Sequence, residues 1–124
     1  QWLLDHDDIL SWSIEEQYEK VSNDGGMVIH AHPFREAFYI PEVRLYPEHI
    51  DGVEAVNLGN NTLDPTYNVK AIEYAKKHNF PMTGGSDIHA LPAMDGGMEF
   101  DHKLEDIFDY IKAVKNHEGK VRGM

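Results

Sequence analysis

Apolar positions along this chain follow two periods. Short β-branched runs stop at turn-forming residues, and longer stretches carry apolar residues every three or four positions. Ser13-Ile14-Glu15-Glu16 fits a capping box and predicts a helix to about Asn23, closed by Gly25-Gly26. Met27–Ala31 is an apolar run suited to a buried strand, which must end near His32 because Pro33 has no N–H for a ladder. From Phe34 to Ile50 the pattern is irregular and broken by Pro41 and Pro47, so a loop with one short helical turn is expected. Asp51–Asn57 reads as a second strand, Gly59-Asn60-Asn61 as a turn, and Asp64-Pro65 as the start of a helix that Val69, Ile72, Ala75 and Lys76 carry to about Asn79. Phe80–Thr83 reads as a third strand leading into Gly84-Gly85-Ser86-Asp87-Ile88-His89. A last helix is marked by Leu104, Ile107, Phe108, Ile111 and Val114, with Glu105 and Asp106 in its first turn and Gly119 past its end.

Strand and helix therefore alternate, which predicts an α/β fold of βα units with parallel strands, in an open sheet or a barrel. In such folds the strand C-termini open on one face, where sites are built. His32 stands at one strand end, and Asp87 and His89 follow another. In an extended segment residues i and i+2 point to the same side, so Asp87 and His89 can face a common centre while Ile88 packs away from it.

Composition narrows the chemistry. The 124 residues suit one domain, and 41% hydrophobic content supports a core without cross-links. Cysteine is absent, so disulfides and thiolate sites are excluded and the eight histidines, with Asp and Glu, are the available metal ligands. Eleven basic against 22 acidic residues give a net charge of -11, which argues against a stable nucleic-acid complex. No run approaches the roughly 20 apolar residues of a membrane helix, so a cytoplasmic protein is expected. The chain opens on Gln1 rather than Met, which suggests a fragment.

Three blocks, Val28-Ile29-His30-Ala31-His32-Pro33-Phe34-Arg35, Asp51-Gly52-Val53-Glu54 and Gly85-Ser86-Asp87-Ile88-His89, resemble the polymerase and histidinol phosphatase (PHP) superfamily in order and spacing. That resemblance runs from about Ser13 to the C-terminus. It implies a distorted (β/α)7 barrel holding two or three divalent ions, Zn, Mn or Fe, that hydrolyses phosphoesters through metal-activated water. Residue by residue, it makes His32, Asp87 and His89 metal ligands, with Asp87 also catalytic by steering the metal-bound hydroxide. The family's N-terminal His-x-His block has no counterpart before His30, and Asp5-His6-Asp7-Asp8 reads as a solvated lead-in. Residues 1–124 are therefore expected to be the C-terminal portion of a single PHP domain with a partial site, inactive alone, its parent acting on a small phosphorylated substrate.

Arg35 offers a fork of donors for a phosphate oxygen, with a surface salt bridge to Glu36 or Glu42 as the plain alternative. His30 shares a strand face with His32 and is either a substrate-facing or a hydrogen-bonded interior histidine. Glu54 is expected to be an inward, hydrogen-bonded carboxylate supporting the site. His49, His78, His102 and His117 read as structural or surface residues. Two alternatives stand beside the phosphoesterase: a non-catalytic PHP-like module that binds a partner chain, and a barrel amidohydrolase, which the His-Pro-Phe-Arg block disfavours. Open strand edges favour self-association, and the acidic charge opposes it.

Overall fold

The computed structural model describes residues 2–36, 42–85, 97–121 and 124. Its elements are α1 (Trp2–Asp5), α2 (Ile14–Asn23), β1 (Ile29–His30), β2 (Gly52–Asn57), α3 (Thr66–His78), β3 (Met82–Gly85), β4 (Met98–Glu99), α4 (Ile107–Lys115) and β5 (Lys120–Val121). Strands β1, β2 and β3 form a parallel sheet in that order, as the alternation of periods predicts, and β4 pairs antiparallel with β5. No closed barrel is formed by the described residues. None of their helices is long and apolar enough to cross a membrane.

Local chemistry explains most boundaries. The capping box opens α2 as expected: Ser13 Oγ accepts from the Glu16 N–H at 3.2 Å, and Glu16 Oε1 accepts from the Ser13 N–H at 3.4 Å. Strand β1 is shorter than the Met27–Ala31 run suggests. The Val28 N–H goes to the Asp51 carboxylate at 2.8 Å, and His32 turns into the left-handed region at φ 26, so the ladder survives only at Ile29 and His30. Before α3, Asp64 Oδ1 accepts from both the Thr66 N–H (2.9 Å) and the Thr66 hydroxyl (2.7 Å). Asn79 ends that helix in the left-handed conformation at φ 56, and the Phe80 N–H returns to the Ala75 carbonyl at 2.8 Å. The turn expected at Gly59-Asn60-Asn61 is a 3-10 helix over Leu58–Thr62, with Asn57 accepting from the Gly59 N–H at 2.9 Å. The third strand lies two residues later than predicted, because Phe80 closes α3 while the Pro81 carbonyl accepts the Val53 N–H at 2.9 Å.

The core sits between β2 and α3, where Ile50, Val53, Ala71, Tyr74 and Ala75 are buried and Val28, Phe34, Tyr46, Phe80 and Met82 pack on them. The face that α3 buries is Asn68, Ala71, Tyr74 and Ala75, whereas Val69 is exposed. Tertiary packing has chosen a stripe rotated from the most apolar one, because a polar cluster at the end of β2 claims Asn68. Of the apolar positions in α4, Val114 is buried with Ala113, but Ile107 and Phe108 are 61% and 63% exposed.

Candidate functional site

The parallel register places the C-terminal ends of β1 and β3 on either side of β2, with Glu54 between them. Glu54 Oε1 accepts the His32 backbone N–H at 3.0 Å and the Asn57 Nδ2–H at 2.8 Å. On its other side, Glu54 Oε2 lies 2.5 Å from the position a side-chain Cβ would take at Gly85. A side chain at this position would have to push the carboxylate aside. Glu54 is half-buried and hydrogen-bonded, as the sequence suggests. Asn57, three residues on, would ordinarily face the opposite side of a strand. The register of β2 against β3 slips between Glu54 and Val56, and this irregularity brings Asn57 back to the Glu54 side.

His32 leaves β1 in a conformation uncommon for residues with a Cβ, which costs on the order of 1–3 kcal/mol and persists only where surroundings enforce it. Those surroundings are specific. Besides the Glu54 bond, the Arg35 N–H closes a turn onto the His32 carbonyl at 3.1 Å, and Pro33 is buried. The half-buried His32 side chain joins His30, Pro33, Arg35, Arg44 and Tyr46 around an open cleft of about 230 Å³. The structure thus brings His30, His32 and Arg35 to one cleft. Asp87 and His89 lie outside the described residues; β3 leads directly toward them from Gly85.

His30 is half-buried in the wall of the cleft. Its Nδ1 is buried with no hydrogen-bond partner among the described residues, and its ring tilts against Tyr46 at 6.2 Å. Burial lowers its pKa below the ordinary histidine value, and the neighbouring His32 lowers it further. Both effects disfavour the charged form of a ring that lines the cleft.

Arg35 is not a surface residue. It is only 5% exposed; Nε donates to Asn60 Oδ1 at 2.8 Å and Nη2 to Asn57 Oδ1 at 2.9 Å. Both asparagines are tied to Asn68, whose Oδ1 accepts from the Asn57 backbone N–H at 3.0 Å and from Asn60 Nδ2 at 2.9 Å, while its Nδ2 donates to the Asn57 carbonyl at 3.2 Å. Sequence reasoning passed over these three asparagines, treating Asn60 as a turn residue. The signal available was the recurrence of one short amide side chain at a strand end, in the following turn and inside the next helix. Arg44 was also missed; its exposed guanidinium rims the cleft and pairs with Glu42 at 2.8 Å.

No group of three or more His, Asp and Glu side chains among the described residues is arranged to hold a metal ion. His32 and Glu54 have suitable donor chemistry, but Glu54 is committed to N–H donors and the two do not complete a site by themselves.

Residues 65–116, from the start of α3 to the end of α4, match the family model described as PHP-associated. This match bears out the resemblance carried by the sequence blocks; it includes Asp87 and His89 and stops short of His32 and Arg35. Over 83 residues the chain is 32% identical to an uncharacterized protein of Methanocaldococcus jannaschii, an alignment covering 61% of this chain and 34% of that protein. The chain thus spans about a third of the length of the curated relative it matches. No solved structure matches it.

Proposed function

We propose that this PHP-associated chain is the C-terminal portion of a distorted (β/α)7 barrel whose parent protein is a metal-dependent phosphoesterase, acting on a small phosphomonoester or phosphodiester. The observation that carries the reading is the position of Glu54. One carboxylate meets the His32 turn on one side and Gly85 on the other, so the two sequence blocks with metal-ligand chemistry start from strand ends that flank β2. The PHP-associated match over 65–116, which contains the Gly85–His89 block, supports the same family.

In this reading His32, Asp87 and His89 are ligands contributed to a cluster of two or three Zn, Mn or Fe ions whose remaining ligands lie outside this chain. Bound ions of that kind polarise phosphoryl oxygens and lower the pKa of bound water. This chain's own residues hold and orient. Glu54 fixes the His32 backbone, His30 forms part of the cleft wall, and Arg44 offers a cation at its rim. The test is hydrolysis of 4-nitrophenyl phosphate with added Mn or Zn. The full-length parent is expected to turn over and the 124-residue chain to show little or no activity, while Asp87→Ala in the parent abolishes turnover with the fold retained. A parent that neither hydrolyses a phosphoester nor binds these metals stoichiometrically would sink the reading.

One observation favours a second reading, a non-catalytic PHP-like module that binds a partner chain. An apolar cleft of about 620 Å³ opens between α2 and α4, lined by Val21, Met27, Ile29, Phe108 and Ile111 among others. An inactive parent that forms a stoichiometric complex through this face would select that reading.

A further inference from the structure

We propose that Arg35 is a positioning residue that holds the His32 turn in its left-handed conformation and does not grip substrate. The inference rests on the reading above only in taking His32 as a working residue of the cleft.

The bonds form a closed circuit. It leaves His32 through its backbone N–H to Glu54, passes from Glu54 to Asn57 Nδ2, and from Asn57 Oδ1 to Arg35 Nη2. It returns through the Arg35 backbone N–H to the His32 carbonyl. A second arm runs from Arg35 Nε to Asn60, which is 1% exposed and anchored by Asn68. The conformation of His32 requires such enforcement, because its φ of 26 is unfavourable for a residue with a Cβ. Arginine suits the task, since its planar fork reaches two acceptors on two different residues along fixed directions, which a lysine ammonium cannot reproduce. With two donors turned onto buried amides and 5% of its surface exposed, Arg35 forms part of the cleft wall without presenting a free fork to a ligand. The cation suited to meeting a substrate anion is Arg44, whose side chain is 60% exposed at the rim.

The experiment reads the backbone of His32 directly, by amide hydrogen exchange in the 124-residue chain. In Arg35→Gln, and separately in Asn60→Ala, protection of the His32 N–H is expected to fall about tenfold or more while the Ala75 amide in α3 keeps its protection. Arg35→Lys retains the buried charge but not the fork, and it is the variant to read if Arg35→Gln does not fold; the same loss at His32 is expected. In the full-length parent, Arg35→Lys is expected to lower stoichiometric Mn or Zn binding and kcat, with KM for 4-nitrophenyl phosphate little changed. An unchanged His32 amide overturns the proposal, and so does a raised KM with metal binding intact. A parent without phosphoesterase activity, but with the same loosening at His32, would refute the functional reading and leave the positioning role standing.

Discussion

Helices α3 and α4 flank the same small structure and are covered very differently. α3 buries Asn68, Ala71, Tyr74 and Ala75 against β2, although its apolar stripe is broken by charged residues and its Val69 faces water. α4 has the cleaner apolar repeat, yet Ile107 and Phe108 stand more than half exposed beside the apolar cleft shared with α2. The amphipathic pattern of a helix states how much surface it could bury; the topology decides how much is buried. β2 is paired on both sides, so the helix packed on it is locked by apolar contacts and the asparagine cluster together. Within the described residues, α4 meets no comparable surface along its first two turns.

That contrast can be broken in three places. The largest effect is expected from Asn68→Ala, which leaves the Asn57 backbone N–H and Asn60 Nδ2 without their acceptor in a buried site. A loss of about 2–4 kcal/mol in stability is expected by denaturant titration. A change under about 0.5 kcal/mol would mean that the polar cluster does not secure α3. Tyr74→Phe probes the one flaw on this side: the Tyr74 hydroxyl is buried with no hydrogen-bond partner among the described residues, and burial pushes its pKa up. Removing it is expected to leave stability unchanged or raise it by about 1 kcal/mol, so a clear loss would reveal a partner for the hydroxyl. The smallest effect is expected on the open side. Phe108→Lys should alter stability by no more than about 0.5 kcal/mol and reduce any self-association measured by sedimentation. Destabilisation comparable to that of Asn68→Ala would place Phe108 in a core and erase the contrast.

Much of the local order was legible in the residues. The Ser13 capping box, the break of β1 before Pro33, the six-residue β2 and the helix after Asp64 each follow from chemistry acting over a few positions, and the alternation of strands and helices predicts the parallel sheet. Strands β4 and β5 were invisible because each has only two residues, too few for any period, and they pair across a large separation in sequence. Within the site, Glu54 as a hydrogen-bonded carboxylate and His32 at a strand end could be read in advance. The actual environment of Arg35 could not, since a guanidinium after His-Pro-Phe is compatible with a surface pair, a phosphate clamp or a buried brace.

By itself, then, the sequence determined the α/β class, the start of α2 and the end of α3, the absence of thiolate chemistry and the PHP resemblance, because these depend on neighbours in the chain or on residue types alone. Only the tertiary structure decided that Glu54 lies between the ends of β1 and β3, that His32 adopts a positive φ, and that Asn57 and Asn60, both anchored by Asn68, hold Arg35. Each of those depends on which strand ends become neighbours across β2 and on a one-residue slip in its register, and neither leaves a local trace in the order of the amino acids.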